Sequence, residues 1–320
     1  MVMQKNKKYD IVGIGNAIVD LIAEVDDSYL EKNSINKGSM SLVDYDVANR
    51  IGNEVDIVKT ISGGSVANSI VCIAQQNLKT VFIGKVNQDE LGEKFAKGLA
   101  EENVEFKITK SLANKHTARC IILVSTDAER TMNTYLGVSQ ELTEEDIDLN
   151  IIEESSILYL EGYLWDLVNA KKAIKKSIST AINSETKIAF SISDAFCVDR
   201  FREEFIDLVN NSVDIIFANE SEIKSLFETN ELNDAIKKCQ DTKKIFAVTL
   251  GDKGAKIIYK NEVIDIKAEV INKLVDTTGA GDLFAAGFLA EYLKTQDLEL
   301  SGKQGVKMAS IIIQQFGARI

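Results

Sequence analysis

The stretch Asp276-Thr277-Thr278-Gly279-Ala280-Gly281-Asp282 runs directly into Leu283-Phe284-Ala285-Ala286-Gly287-Phe288-Leu289. Its small residues predict a turn entering an apolar helix, and such a turn exposes several backbone N–H groups at a helix N-terminus, the local chemistry that holds an anion. Gly279 and Gly281 permit close approach to the backbone, with Ala280 between them. Asp282 falls in the first helical turn, where the helix end favours its ionised form and its carboxylate can accept a proton from an alcohol. Taken alone, the stretch reads equally well as a Gly-rich helix cap with an ordinary acidic residue. The rest of the chain separates the two readings.

Upstream, Ile215-Ile216-Phe217-Ala218 reads as a strand ending at Asn219-Glu220-Ser221-Glu222, which puts polar groups at the mouth of an α/β sheet. Asn219 and Glu222 suit a hydrated Mg2+ or phosphate-bound water, against a plain role as helix cap and charged first turn. The segment 246–255 reads strand, turn, strand, and Thr249, Gly251 and Gly254 are candidates to approach nucleotide phosphates; the plain alternative is a tight Gly-Asp turn.

A second constellation lies near the N-terminus. Residues 9–15 form a buried strand, and 16–23 continue through a turn into another, with Asn16 and Asp20 as polar interruptions that need hydrogen-bond partners. After Gly63-Gly64 the spacing of Val66, Ile70, Ile73 and Ala74 becomes helical and carries Asn68 near the entrance. A carboxylate accepts hydrogen bonds and an amide both donates and accepts, so Asn16, Asp20 and Asn68, with Gly63 and Gly64 removing side-chain obstruction, form a set that can recognise a vicinal diol. Their plain roles are to end strands and turns.

Further strands are expected at 80–86, 118–125, 130–136, 157–162, 187–193, 214–218 and 245–250, with helical patterns between several of them. That alternation predicts an α/β fold with a mostly parallel sheet and crossover helices. The pair 118–125 and 130–136, closely spaced around Ser125-Thr126-Asp127-Ala128-Glu129, reads instead as an antiparallel hairpin of a smaller sheet shared with 17–24 and 38–44. The organisation expected for residues 1–320 is therefore a large α/β domain built from several segments, with a small β-sheet lid from about 16–60 and 105–140. On the lid, Arg130 can balance phosphate charge and Met132 can pack against a purine; their plain alternatives are a surface ion pair and packing within the lid. The loop Glu161-Gly162-Tyr163-Leu164-Trp165 offers Tyr163 and Trp165 either to a base pocket or to the core.

Composition narrows the classes. The 320 residues are 45% hydrophobic and 27% charged, ordinary for a folded domain. Asp and Glu outnumber Lys and Arg by 49 to 37, a net charge of −12 with no long basic block, which argues against a nucleic-acid polymer as partner. No apolar run is long enough to span a bilayer and no secretory pattern follows Lys5, Lys7 and Lys8, so no membrane partner and a cytoplasmic location are expected. Four widely spaced cysteines, Cys72, Cys120, Cys197 and Cys239, read as structural thiols. The single histidine, His116, has no companions for a zinc site. There is no G-x-x-x-x-G-K-S/T loop, and Gly13-Ile14-Gly15-Asn16-Ala17-Ile18 lacks the third Gly of a dinucleotide fingerprint. Proline is absent altogether.

Taken together, the segments 276–282, Asn219-Glu220-Ser221-Glu222 and Gly63-Gly64-Ser65-Val66-Ala67-Asn68 resemble the ribokinase-like (pfkB) family of carbohydrate and nucleoside kinases over nearly the whole chain. Within it, Gly15-Asn16-Ala17-Ile18-Val19-Asp20 and Val213-Asp214-Ile215-Ile216-Phe217-Ala218-Asn219-Glu220 are most similar to the adenosine kinases. The pair Val66-Ala67 departs from the Thr-Gln familiar in the eukaryotic ones. The resemblance implies a three-layer α/β/α core with a β-sheet lid and use of ATP and Mg2+. It implies Asp282 as base beside an anion hole of Gly279, Ala280 and Gly281, and acceptor hydroxyls bound by Asp20 and residues 63–68. Asp276 and Thr278 would lie near the monovalent-cation (K+) site of many relatives. The implied reaction is phosphorylation of adenosine at the ribose 5'-hydroxyl; the alternatives are a ribokinase-like sugar kinase, a kinase for another nucleoside, or an inactive nucleotide-binding sensor. Monomer and homodimer are both compatible with the sequence.

Overall fold

A computed structural model describes residues 7–111, 115–127 and 129–320. Ala128, at the tip of the expected hairpin, lies outside the described residues, as do Lys5 and residues 112–114 within the expected lid. Fourteen strands are present: β1 (Tyr9–Ile14), β2 (Ile18–Glu24), β3 (Met40–Leu42), β4 (Ile57–Gly63), β5 (Thr80–Asn87), β6 (Glu105–Ser111), β7 (Ala118–Val124), β8 (Arg130–Tyr135), β9 (Ser155–Glu161), β10 (Lys187–Ser191), β11 (Ile215–Asn219), β12 (Ile245–Thr249), β13 (Ala255–Tyr259) and β14 (Glu262–Ile266).

Nine of them form one sheet in the order β14-β13-β12-β11-β10-β9-β1-β5-β6, parallel throughout except for the β12, β13 and β14 meander at one edge. The period-2 alternation of strands explains why their sequences are apolar on both faces. On β9, Leu158 and Leu160 enter one core while Ile157 and Tyr159 enter the other; on β12, Phe246 and Val248 oppose Ile245 and Ala247 in the same way. Helices Val168–Asn183 and Ala195–Asn211 cover the first face through Ile174 and Phe205. Helices Ser65–Ala74, Ala280–Thr295 and Leu298–Ile312 cover the second through Ile70, Phe288 and Met308. The result is the three-layer α/β/α arrangement that the sequence implied. With no proline to stop them, the helices Leu232–Thr242 and Ala280–Thr295 end on left-handed residues, Lys243 at φ 59° and Gln296 at φ 57°.

The second sheet has the order β3-β8-β7-β2-β4. Its outer face carries Ala23, Ile121 and Leu123 and is covered by helices Asp27–Lys32 and Tyr45–Glu54 through Leu30, Ala48 and Ile51. Its other face holds Ile22, Cys120, Ile122 and Val124 with the half-buried Ile18, Ile61 and Met132. The β7 and β8 hairpin is antiparallel, pairing Val124 with Arg130 and Arg119 with Tyr135.

Two boundaries differ from the sequence reading. Within the 105–140 stretch, β6 pairs with β5 at the edge of the large sheet, so the small sheet takes up the chain only at Ala118. At the other boundary β4 continues past residue 60 to Gly63. A short edge strand such as β6, with only Phe106 and Ile108 apolar, carries no local sign of which of two sheets it joins. Trp165 is fully buried against Phe190 and Phe205, so it is a core residue and not a base-pocket one. All four cysteines are buried free thiols.

Of the connections between the sheets, two meet at Asn16: β1 to β2 through Gly15-Asn16-Ala17, and β4 through Gly64 into the helix Ser65–Ala74 that leads to β5. They touch. Gly64 adopts φ 101°, and a Cβ there would run into the Asn16 carbonyl oxygen, so only glycine allows the two crossovers to nest. The polar residues singled out in the sequence stand at this junction.

Candidate functional site

The helix Ala280–Thr295 begins at Gly279, whose φ of 77° turns the chain into it. An added Cβ at Gly279 would lie 2.6 Å from that of Ala318, so a side chain is excluded on contact as well as conformation. Ala280 N donates to Thr277 O and Leu283 N to Gly279 O, while the N–H groups of Gly281 and Asp282 find no acceptor among the described residues. A Cβ on Gly281 would meet nothing within 4 Å, so the backbone there is open to a ligand. Two unspent N–H groups at a helix start form a site for negative charge.

Asp282 is held from the helix Ser65–Ala74. Ser65 Oγ donates to Asp282 Oδ1 at 2.6 Å, Asn68 Nδ2 to Oδ2 at 3.0 Å, and Ser69 Oγ to the Asp282 carbonyl at 2.8 Å. Burial raises the Asp282 carboxyl above its ordinary range, while the Ser65 and Asn68 hydrogen bonds and the charge of Arg319 oppose that rise. A fixed carboxylate with raised proton affinity, beside an anion-binding turn, can take a proton from a hydroxyl and stabilise the resulting phosphoryl transfer.

Asp20 lies across the junction, packed against Gly63. Burial pushes its carboxyl up to about 7, against the lowering influence of Arg319 and Arg130. No donor to Asp20 is found among the described residues, so its oxygens remain available for hydroxyls from outside. Asn16 is organised from behind: its backbone N and its Nδ2 both donate to Glu161 Oε1 at 2.8 Å, and Val66 N donates to Glu161 Oε2 at 3.0 Å. Glu161 is 1% exposed, and burial pushes its carboxyl up to about 7. With one N–H of its amide committed inward, Asn16 keeps its Oδ1 and a second N–H for other partners.

From the small sheet, Arg130 reaches the turn before the helix. Its Nη2 is 2.6 Å from Asp276 Oδ2 and its Nη1 donates to Thr278 Oγ1 at 3.2 Å. Asp276 also accepts from Thr278 N at 3.0 Å and Gly317 N at 2.9 Å. The cationic partner of Asp276 in this structure is thus Arg130. The Asp276 carboxylate and the Thr278 hydroxyl are engaged with protein groups, an arrangement that does not fit a potassium ion.

A cavity of about 430 Å3 runs past Asp282, Gly279 and Met132 to Asn219, Glu222 and Thr249. Asn219 and Glu222 form a reciprocal helix cap: Glu222 N donates to Asn219 Oδ1 at 2.9 Å, while Asn219 N and Nδ2 donate to the Glu222 carboxylate at 2.9 and 2.6 Å. Burial pushes the Glu222 carboxyl up to about 7. No cluster of three or more His, Cys, Asp or Glu suited to a metal occurs among the described residues. Engaged with each other in the cap, the two side chains could meet a divalent ion only through water. Of the glycines after Thr249, Gly251 stands open, whereas Gly254 is buried under the Ile266 backbone in the hairpin; neither lines the cavity.

Three residues absent from the sequence-based set belong here: Ser65, Glu161 and Arg319. Ser65 was inside a quoted motif but has no signal beyond helix entry. Glu161 carries one, an acid closing the apolar run Ile157-Leu158-Tyr159-Leu160. Arg319, whose Nε donates to Asn68 Oδ1 at 3.2 Å, comes from the far end of the chain and has none. Ser193, at φ 74°, lines the cavity and accepts from Gly162 N at 2.8 Å, so a strained non-glycine residue shapes the wall beside Tyr163.

A doubly covered parallel sheet with a β-sheet lid, closing on a carboxylate at an anion-binding helix start, defines a phosphotransferase class. The chain belongs to the pfkB family of carbohydrate kinases, whose model matches residues 10–320, and it is accordingly an ATP-dependent kinase acting on a nucleoside or sugar. Among solved structures it is similar to the adenosine kinase of Sinorhizobium meliloti, 41% identical over 98% of this chain and 96% of that one, TM-score 0.90. It is also similar to a probable sugar kinase from Rhizobium etli, 39% identical over 98% and 95%, TM-score 0.91. The adenosine kinase of Saccharomyces cerevisiae is 26% identical over 96% of this chain and 95% of its own length.

Proposed function

We propose that this protein transfers the γ-phosphoryl group of ATP to the ribose 5'-hydroxyl of adenosine, giving AMP and ADP. The observation that carries the reading is the Asp282 carboxylate, fixed by Ser65 and Asn68 at the start of a helix with two unspent N–H groups. Asp282 takes the hydroxyl proton as the acceptor oxygen bonds to the γ-phosphorus and the bond from that phosphorus to the β,γ-bridging oxygen breaks. The N–H groups of Gly281 and Asp282 receive charge on the moving phosphoryl group. Asp20, with no donor among the described residues, accepts from the ribose hydroxyls, beside the Oδ1 of Asn16, and Met132 packs against the base. Asn219 and Glu222 are the residues that would hold Mg2+ through water, and the ion would offset charge on the nucleotide phosphates. The small sheet, as a lid, excludes water that would otherwise compete with the acceptor.

Adenosine is favoured over other acceptors by the likeness to the Sinorhizobium meliloti adenosine kinase. The Rhizobium etli likeness supports a second reading, a sugar kinase with the same base and anion site. Purified protein incubated with ATP, Mg2+ and a panel of adenosine, other nucleosides, ribose and fructose tests both. Adenosine-dependent ADP release well above the rest is expected; turnover of sugars alone would overturn the adenosine assignment.

A further inference from the structure

We propose that Arg319 is a positioning residue for the phosphoryl-transfer base: through the Asn68 amide it fixes how Asp282 is held and keeps that carboxylate in its proton-accepting form. The inference rests on the reading of Asp282 as the base and adds a residue from the C-terminal segment to it.

The geometry is a three-member chain. Arg319 Nε donates to Asn68 Oδ1 at 3.2 Å, and Asn68 Nδ2 donates to Asp282 Oδ2 at 3.0 Å. An asparagine amide has nearly the same shape when rotated by half a turn, yet the two orientations differ chemically. Flipping it here would set Oδ1 against a carboxylate and NH2 against a guanidinium. Because a guanidinium only donates and a carboxylate only accepts, Arg319 on one side dictates that the amide offers NH2 to Asp282 on the other. Replacing the guanidinium removes the lock as well as the charge.

Arg319 is itself seated by the turn it serves. Gly317 N donates to Asp276 Oδ2 at 2.9 Å, Ala318 packs against Gly279, and Gln315 Nε2 donates to the Arg319 carbonyl at 3.0 Å. The segment 317–319 thereby joins the anion-binding turn to the helix Ser65–Ala74. Within it the guanidinium is largely enclosed, and its Nη2 is buried without a hydrogen-bond partner. The charged and titratable groups around Asp282 are Asp20 from β2, Glu161 and Tyr159 from β9, Tyr163 from the turn after it, and Arg319. Arg319 is the cation that opposes the burial-driven rise of Asp282, and it acts on Asp20 as well, together with Arg130.

The test compares wild type, Arg319→Gln and Arg319→Lys in the full chain. With an accepted substrate, R319Q should move the acidic limb of kcat up by about one pH unit. It should lower kcat by roughly tenfold on that limb, leave the KM for ATP unchanged, and be largely rescued in R319K. A carboxylate 13C NMR titration, with the Asp282 signal assigned by its loss in Asp282→Asn, should show the same upward shift without any acceptor present. That second reading separates the two ideas: absence of kinase activity would count against the proposed function, while the titration still decides the role of Arg319. An Asp282 titration unchanged in R319Q, or a pH-independent loss of kcat that lysine does not rescue, overturns the proposal. Should R319Q fail to fold, Arg319→Met takes its place with the same readings: an upward shift of Asp282 supports the proposal and an unmoved titration rejects it.

Discussion

Arg130 of the small sheet and Asp276 of the large domain form an ion pair at 2.6 Å, with side chains only 7% and 2% exposed. The pair ties β8 to the turn that opens the helix Ala280–Thr295. Breaking a buried pair from one side strands a charge, which costs about 3 kcal/mol or more, whereas replacing both partners with neutral residues is far milder. Arg130→Met should therefore destabilise the protein by about 3 kcal/mol in urea unfolding. Adding Asp276→Asn should recover part of that loss, because the stranded charge goes but its NH2 must then confront the N–H of Thr278 or of Gly317. Equal stability of the single and double variants would show that the pair contributes no coupling.

Asp282→Asn keeps the size of the side chain and removes its capacity to accept a proton. A general base contributes about 10²–10⁴ in rate, so kcat should fall within that range. ATP binding followed by calorimetry should stay close to wild type, because the N–H groups at the helix start are backbone. Near-normal turnover in this variant would remove Asp282 from the reaction.

The alternation of apolar strands and helices, the β7 and β8 hairpin and the change to a helix after Gly63-Gly64 were legible because each is written locally, in period-2 or helical spacing and in glycines. The same holds for Asp282, whose place after Gly279-Ala280-Gly281 is a helix start in any fold. What was not legible depends on distance in the chain. Asn68 was read as a ligand for acceptor hydroxyls, yet both ends of its amide are engaged, by Asp282 and by Arg319, which lies 251 residues away. Asp276 and Thr278 were read toward a cation, and the positive charge beside them comes from Arg130, 148 residues from Thr278. Periodicity says which face a residue occupies; it does not say which remote side chain arrives there.

Asp20 gives a pH signature. Burial lifts its carboxyl from an ordinary 3.8 to about 7, so in the free protein it becomes protonated as pH falls through neutrality and loses acceptor capacity toward hydroxyls. The KM for the nucleoside or sugar should rise as pH drops from 8 to 6, by about tenfold per unit once below the titration, while the KM for ATP stays level. Asp20→Asn should show a high acceptor KM with that dependence removed. An acceptor KM independent of pH in wild type over this range would contradict the assignment.

Glu161 accepts from Asn16 N, Asn16 Nδ2 and Val66 N, and burial lifts its carboxyl from an ordinary 4.5 to about 7. Between those values the folded chain holds a proton that the unfolded chain has released. The stability this group contributes is thus fully present below about 4.5 and is lost as pH rises through about 7. Glu161→Gln has no such titration, but its NH2 must confront one of the N–H donors, at a cost of about 1–3 kcal/mol. Chemical unfolding should therefore find E161Q less stable than wild type at pH 5, with the gap narrowing toward pH 8 by on the order of 2–3 kcal/mol. Since the same carboxylate orients Asn16, the variant should also raise the acceptor KM more than that of ATP. A stability gap that widens with pH would reverse the sign argued here and return Glu161 to an ionised, charge-stabilised role throughout the range.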